Sequence, residues 1–261
     1  IEMHVKHHKT CRICGNEHLT EVLDLGRQYI QGAFNHPQSP SPPRRQVSNR
    51  IVRCDTSKDE NACGLVQADI SISPEILYRN YWYQSGISQT MTKHLRAIVK
   101  EAIRITGFDK GVVIDVAAND NSLLRNYRDY GNFQMVAIDP SDISARQTDA
   151  DIQLFNEVFP SKKLRYDIRY DNISIITSIA CFYDVNEPDE FVGEIKRILN
   201  GNGVWIAEFA YWPSMVSCMA FDQILNEHVC HYHLAPFERL LKENGLKLFR
   251  AEKTSTNGGS I

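Results

Sequence analysis

Four cysteines in the first quarter of the chain, Cys11, Cys14, Cys54 and Cys63, have the chemistry to hold a metal ion. Thiolates bind zinc tetrahedrally, and the turn Cys11-Arg-Ile-Cys14 lets two sulfurs reach one ion while a distant pair closes the site. The chain has seven cysteines, and its first ten residues carry charge and histidine where an export signal would carry an apolar run, so the clustering favours metal over disulfides. Eight residues separate Cys54 from Cys63, more than a knuckle usually takes, and His4, His7, His8 and His18 are alternative ligands.

A second constellation is Asp115-Val-Ala117-Ala-Asn119-Asp120-Asn121, which follows the apolar run 112–116 and precedes a helix candidate at 122–130. In open α/β sheets ligands bind at the carboxyl ends of the strands, where this turn falls. Twenty residues after Asn119, Asp139 ends the next strand, where a carboxylate can accept hydrogen bonds from both hydroxyls of a ribose. The glycines that bring a backbone close to a pyrophosphate are missing, since Ala117 and Ala118 occupy the turn and Asn121 stands where another glycine would. That disfavours a dinucleotide and suits S-adenosylmethionine, which has no pyrophosphate.

A third is Glu227-His228, followed by Cys230, His231, Tyr232 and His233, after the fifth expected strand, 203–209. A histidine near neutral pKa can remove a proton from carbon beside a carbonyl, and a neighbouring glutamate can share that role. A surface or structural histidine is the plain alternative. Tyr78, Tyr81, Trp82 and Tyr83 crowd together before Ser85-Gly86, either covering the edge of a core or presenting one hydroxyl to a substrate.

These groups need elements to hold them. Apolar positions at helical spacing run through 74–106, and from residue 111 strands alternate with helices. Strands are expected at 112–116, 133–138, 152–155, 173–179, 203–209 and 246–252, with helices at 122–130, 189–199 and 236–244. Repeated βαβ units imply a doubly wound α/β domain with a mostly parallel sheet. The expected organisation is a zinc-binding module at 1–73, rich in loops with a proline-rich stretch at 34–45, a helical linker or lid at 74–110, and the α/β domain at 111–261. A net charge of −3 and no basic block beyond Arg44-Arg45 argue against nucleic acid, and no apolar run is long enough for a membrane span. A cytoplasmic protein is expected.

Together these segments resemble the sugar C-methyltransferase family, whose members methylate carbon 3 of nucleotide-linked 4-keto-6-deoxysugars with S-adenosylmethionine. The resemblance runs in order along nearly the whole chain: Cys11-Arg-Ile-Cys14-Gly15, Cys63-Gly-Leu-Val-Gln67, Tyr81-Trp-Tyr-Gln-Ser85, Val113-Ile-Asp-Val-Ala-Ala-Asn-Asp120, Ile138-Asp-Pro-Ser141, Phe182-Tyr-Asp184, Asn226-Glu-His228 and Asn257-Gly-Gly-Ser-Ile261. It implies a structural zinc on the four cysteines and a Rossmann-like class I methyltransferase domain. It places S-adenosylmethionine against Asp115, Ala117, Asn119, Asp120, Leu123, Asp139, Pro140, Ala180 and Phe182. His228 would be the base, helped by Glu227 and by Tyr81 or Tyr83, and the substrate a nucleotide-sugar or another small carbonyl compound. The family carries glycines where Ala117 and Asn121 stand, and continues past the segment matching 257–261 into a further domain, which a partner subunit could supply here. A methyltransferase-like binding or scaffold subunit without turnover, and an O- or N-methyltransferase, are the alternatives.

Overall fold

The computed structural model describes residues 5–30, 46–78, 81–166 and 173–261; the proline-rich stretch 34–45 and His4 lie outside them. The chain divides into two compact units, one made of Ile1–Leu77, Phe182–Val192 and Glu208–Ile261, the other of Tyr78–Cys181 and Gly193–Ala207. This division differs from boundaries at 73 and 110, because the segments 182–192 and 208–261 pack with the cysteine-bearing residues. Among the described residues no helix is long and apolar enough to cross a membrane.

The α/β unit is built on a five-stranded sheet in the order Leu199–Glu208, Ile173–Ile179, Lys110–Val116, Asn132–Ile138, Ile152–Phe155. The central strand pairs in parallel with both neighbours, and Asn132–Ile138 pairs in parallel with Ile152–Phe155. Its Val113, Ile114 and Val116 are buried and alternate between its two faces, as a strand covered on both sides requires. The strand order reverses between Lys110–Val116 and Ile173–Ile179, so the crevice at their carboxyl ends is a topological switch point. Helix Gln89–Thr106 starts where the Ser88 side chain accepts from the Met91 amide and stops at Gly107, whose φ of 67° ends the turn. Its Leu95, Val99 and Ala102 lie on one face and pack with Val113, Leu124, Tyr127 and Met135.

Three expectations are corrected here. The helical reading of 74–106 divides into Pro74–Tyr78, a 3-10 turn at Ser85–Ile87 and Gln89–Thr106. The helix at 122–130 is a 3-10 helix, Leu124–Asp129. Residues 246–252 form no strand: the Leu246 amide folds back to the Leu241 carbonyl and Phe249 is exposed, so its alternating pattern finds no ladder.

The other unit holds an antiparallel sheet in the order Cys230–His231, Val66–Ala68, Gln46–Cys54, Leu19–Tyr29, with Val5–His7 pairing Ile70–Ile72. It is thus more strand than loop, and one of its strands comes from late in the chain. Phe182, Phe191, Phe209, Tyr232 and Phe237 form an aromatic core, with the Phe182 and Tyr232 rings stacked at 5.0 Å. Arg12 is buried against the strand Val66–Ala68, donating to the carbonyls of Ala68 at 2.6 Å and Ile70 at 3.0 Å.

Candidate functional sites

The four cysteines Cys11, Cys14, Cys54 and Cys63 converge, with all their sulfurs within 4.8 Å of one another. Cys11 and Cys63 lie 3.4 Å apart and Cys14 and Cys54 3.5 Å apart, close to the roughly 3.8 Å edge that tetrahedral bonds of about 2.3 Å would give. The knuckle closes because Gly15, at φ 69°, donates its amide to the Cys11 carbonyl at 3.0 Å. The long spacer to Cys63 is folded back by two carboxylates. Asp55 accepts from the Ser57 amide and hydroxyl and from the Thr20 hydroxyl at 2.6 Å, and Asp59 accepts from the Asn61 amide and the Asn16 side chain. Those hydrogen bonds hold the Asp55 carboxyl well below its usual pKa. The donor set and spacing fit structural zinc, and among the described residues His7, His8 and His18 are not in the cluster, while His4 lies outside them.

At the switch point, Ala117, Asn119 and Asn121 all adopt left-handed backbone, with φ of 60°, 52° and 64°. This alternating pattern is the conformation glycines would supply, held here by alanine and asparagine. The Ala117 amide donates to the Ile138 carbonyl at 2.8 Å, tying the loop to the neighbouring strand end. Asp139 accepts from the Asn119 amide at 2.8 Å through one oxygen and from the Ser141 amide at 2.7 Å through the other. Asp115 is buried beneath the loop with the Thr177 hydroxyl donating to it at 2.6 Å, and burial pushes its carboxyl up to about 7. Ala180, also left-handed at φ 54°, follows the strand on the far side of the crevice, and Leu123 is buried in the core below. A cradle of small residues between two carboxylates fits an adenosine cofactor with a cationic amino-acid end.

The unit with this loop therefore contains Asp115, Ala117, Asn119, Asp120, Leu123, Asp139, Pro140, Ala180, Tyr81 and Tyr83, whereas Phe182, Glu227 and His228 belong to the cysteine-bearing unit. Phe182 is fully buried in the aromatic core there. Tyr81 is half-buried and meets the Tyr78 ring edge-on at 6.0 Å. Burial and the nearby Asp120 charge raise the Tyr83 phenol, which stays protonated at neutral pH. Trp82 is 52% exposed and meets the Tyr83 ring edge-on at 5.9 Å.

His228 is buried, and its Nδ1 donates to the Gln223 carbonyl at 2.7 Å. That bond fixes the neutral tautomer with its lone pair on Nε2. Burial lowers the imidazole to about 4, against the opposing effect of the Gln223 carbonyl. The Tyr183 ring packs on it at 4.2 Å. Glu227 is half-buried and its carboxyl is raised by that burial. Sequence reasoning missed Thr177 and Tyr183, whose contacts cross long stretches of chain, and Gln223, which acts through a backbone carbonyl that its residue type does not announce; Tyr183 alone stood within a quoted motif, with no role attached.

A family model described as "Putative zinc binding domain" matches residues 11–78, and one described as "Methyltransferase domain" matches residues 88–251. No curated protein matches the sequence. Among solved structures, the Haloferax volcanii complex between the Trm112 methyltransferase activator and the putative methyltransferase is similar at 19% identity and a TM-score of 0.52, over 65% of this chain and 76% of that one. A putative methyltransferase from an antibiotic biosynthesis pathway of Anabaena variabilis is similar at 15% identity and a TM-score of 0.45, over 57% of this chain and 60% of that one. The chain is an S-adenosylmethionine-dependent enzyme with a structural zinc module, and it belongs to the methyltransferase domain family.

Proposed function

We propose that the protein transfers a methyl group to a carbon alpha to a ketone, at C-3 of a nucleotide-linked 4-keto-6-deoxysugar, with His228 as the base. The observation that carries this reading is the state of His228. An imidazole that is neutral at pH 7 and fixed with its lone pair on Nε2 can accept a proton, although burial, which lowers it to about 4, makes it a weaker base than a near-neutral histidine. Removal of the alpha proton leaves an enolate on the substrate, and making that carbanion is the difficult step. Bound S-adenosylmethionine supplies an electrophilic methyl group.

Asp139 is the residue for the ribose hydroxyls, and Ala117, Asn119 and Asp120 form the turn that receives the cofactor. Asp115 lies below the turn, where a carboxylate favours the methionine ammonium. Glu227 assists His228, and Tyr81 or Tyr83 faces the sugar. The family's further domain, or a partner subunit in its place, would hold the nucleotide; the Haloferax relative is itself described in complex with an activator.

The test uses a nucleotide-linked 4-keto-6-deoxysugar in heavy water. The parent chain, with S-adenosylhomocysteine bound, should exchange the C-3 proton for deuterium, and His228→Ala should not. With S-adenosylmethionine the same substitution should lower turnover by about 100-fold or more. Unchanged exchange and turnover in the variant would remove His228 as base, and a parent that exchanges no C-3 proton would turn the reading toward oxygen or nitrogen transfer.

A further inference from the structure

We propose that Asn119 is a positioning residue that clamps the segment Tyr83–Gly86 onto the cofactor loop, so that the side chain replacing a loop glycine holds Tyr83 in register with the cofactor. The role in turnover rests on the methyltransferase reading above, whereas the clamp is a property of the loop itself.

Both ends of the Asn119 side-chain amide are engaged by one stretch of backbone. Its Nδ2 donates to the Tyr83 carbonyl at 2.8 Å, and its Oδ1 accepts from the Ser85 amide at 3.0 Å. The carboxamide behaves as a peptide group would in a sheet, pairing one donor and one acceptor with the backbone beside it. Asp120 adds a third bond, its Oδ2 accepting from the Gly86 amide at 2.7 Å while its Oδ1 accepts from the Ser122 amide. The approach is close: a Cβ at position 86 would lie 2.8 Å from Asp120 Oδ2 and 2.9 Å from Ser122 Oγ, so those side chains would have to shift to admit it.

The backbone of Asn119 is tied in the opposite direction, donating to Asp139, the carboxylate proposed for the ribose. One residue therefore links the ribose-binding position to the segment bearing Tyr83. A glycine at 119 would adopt the φ of 52° with less strain, yet would supply neither side-chain bond. Asparagine is the residue that tolerates left-handed backbone and can also bridge. Two residues beyond Gly86, Ser88 caps the long helix, so the clamped segment is fixed at both ends.

The test is Asn119→Gly, read by amide hydrogen exchange at Ser85 and Gly86 in the absence of substrate. Exchange at Ser85 should rise by about tenfold or more, as expected when a protecting hydrogen bond is lost. Ala117→Gly relieves the same backbone conformation in the same loop and should leave Ser85 exchange unmoved. Asn119→Asp, which keeps the acceptor for Ser85 but lacks the donor to Tyr83, should fall between parent and glycine. In the glycine variant kcat at saturating S-adenosylmethionine should fall about tenfold, since the loss is in positioning. Unaltered Ser85 exchange in Asn119→Gly, or equal deprotection in Ala117→Gly, would overturn the clamp, and a kcat equal to the parent's would overturn its role in turnover. Exchange needs no methyl transfer, so a chain inert toward keto sugars would sink the proposed substrate and leave the clamp to stand or fall on its own readout.

Discussion

The Thr177 hydroxyl donates to the Asp115 carboxylate at 2.6 Å inside the parallel sheet, where the carboxyl is buried and has a pKa of about 7. The cause is burial first, with the Asp139 charge adding to it and the Thr177 bond opposing it. The folded pKa lies above the ordinary 3.8, so the folded state binds the proton more tightly than the unfolded chain. Stability from this group is complete below about pH 4 and is lost as pH rises toward 7. Asp115→Asn should flatten the decline in melting temperature between pH 5 and 7.5, by an amount on the order of a few kcal/mol in stability. An equally steep decline in the variant would mean that the carboxyl is not the titrating group.

The same carboxyl should couple protons to cofactor binding. The proposed cofactor placement sets the methionine ammonium beside Asp115, which would favour the ionised form, so S-adenosylmethionine binding near pH 6.5 should release close to one proton. Calorimetry in two buffers of different ionisation enthalpy measures that number directly. Release that persists in Asp115→Asn would assign the proton elsewhere.

The loop backbone makes a separate prediction. Ala117 is at φ 60°, a conformation costing an L residue about 1 kcal/mol relative to glycine. Ala117→Gly should therefore raise unfolding free energy by a few tenths to about 1 kcal/mol in urea, after allowing for glycine's freer unfolded chain. Asn121→Gly should gain less, because Asn121 Nδ2 also donates to Asp149 at 3.1 Å. Destabilisation by Ala117→Gly would show that the methyl group is a packing contact.

This loop also shows how far the residues could be read in advance. Val113, Ile114 and the run 173–179 announce buried strands by composition alone, and Asp139 falls where a strand must end. The alanine and asparagines at 117, 119 and 121 hide a glycine-like backbone, because conformation there is enforced by bonds to Ile138 and Asp139 that only the folded sheet supplies. Leu246 and Leu248 alternate with polar neighbours as strand residues do, but alternation cannot say whether a partner edge exists. The strand Cys230–His231 shows the reverse: it pairs with Val66–Gln67 across most of the chain, and two residues carry no period. Such distant pairings explain why the cysteine-bearing unit draws on residues after 181.

The zinc module offers a prediction away from its ligands. Asp55 is no ligand in the four-sulfur cluster, yet it gathers Thr20 and Ser57 and so returns Cys63 to Cys54. Asp55→Ala should weaken zinc by about tenfold or more without changing the stoichiometry of one ion, as lost supporting bonds around a metal site commonly do. Competition with a chromophoric chelator gives the affinity. Parent-like affinity would show that the spacer closes without the carboxylate.

His228 gives the final prediction, with the opposite sign from Asp115. Burial takes its imidazole from the ordinary 6.5 to about 4, so between these values the unfolded chain binds the proton and the folded one does not. Stability from this group is present above pH 6.5 and is lost as pH falls toward 4, amounting at most to about 3 kcal/mol. Buried His231, lowered to about 3 by burial, and half-buried His8, lowered to about 4, act in the same direction. Urea titrations at pH 5 and 7.5 should show His228→Asn less acid-sensitive than the parent. Long-range nitrogen–proton spectra should show the parent imidazole neutral at pH 6, with its proton on Nδ1 toward the Gln223 carbonyl. A proton on Nε2 would leave no lone pair facing away from Gln223, and the proposed base would have to be sought among the neighbouring residues.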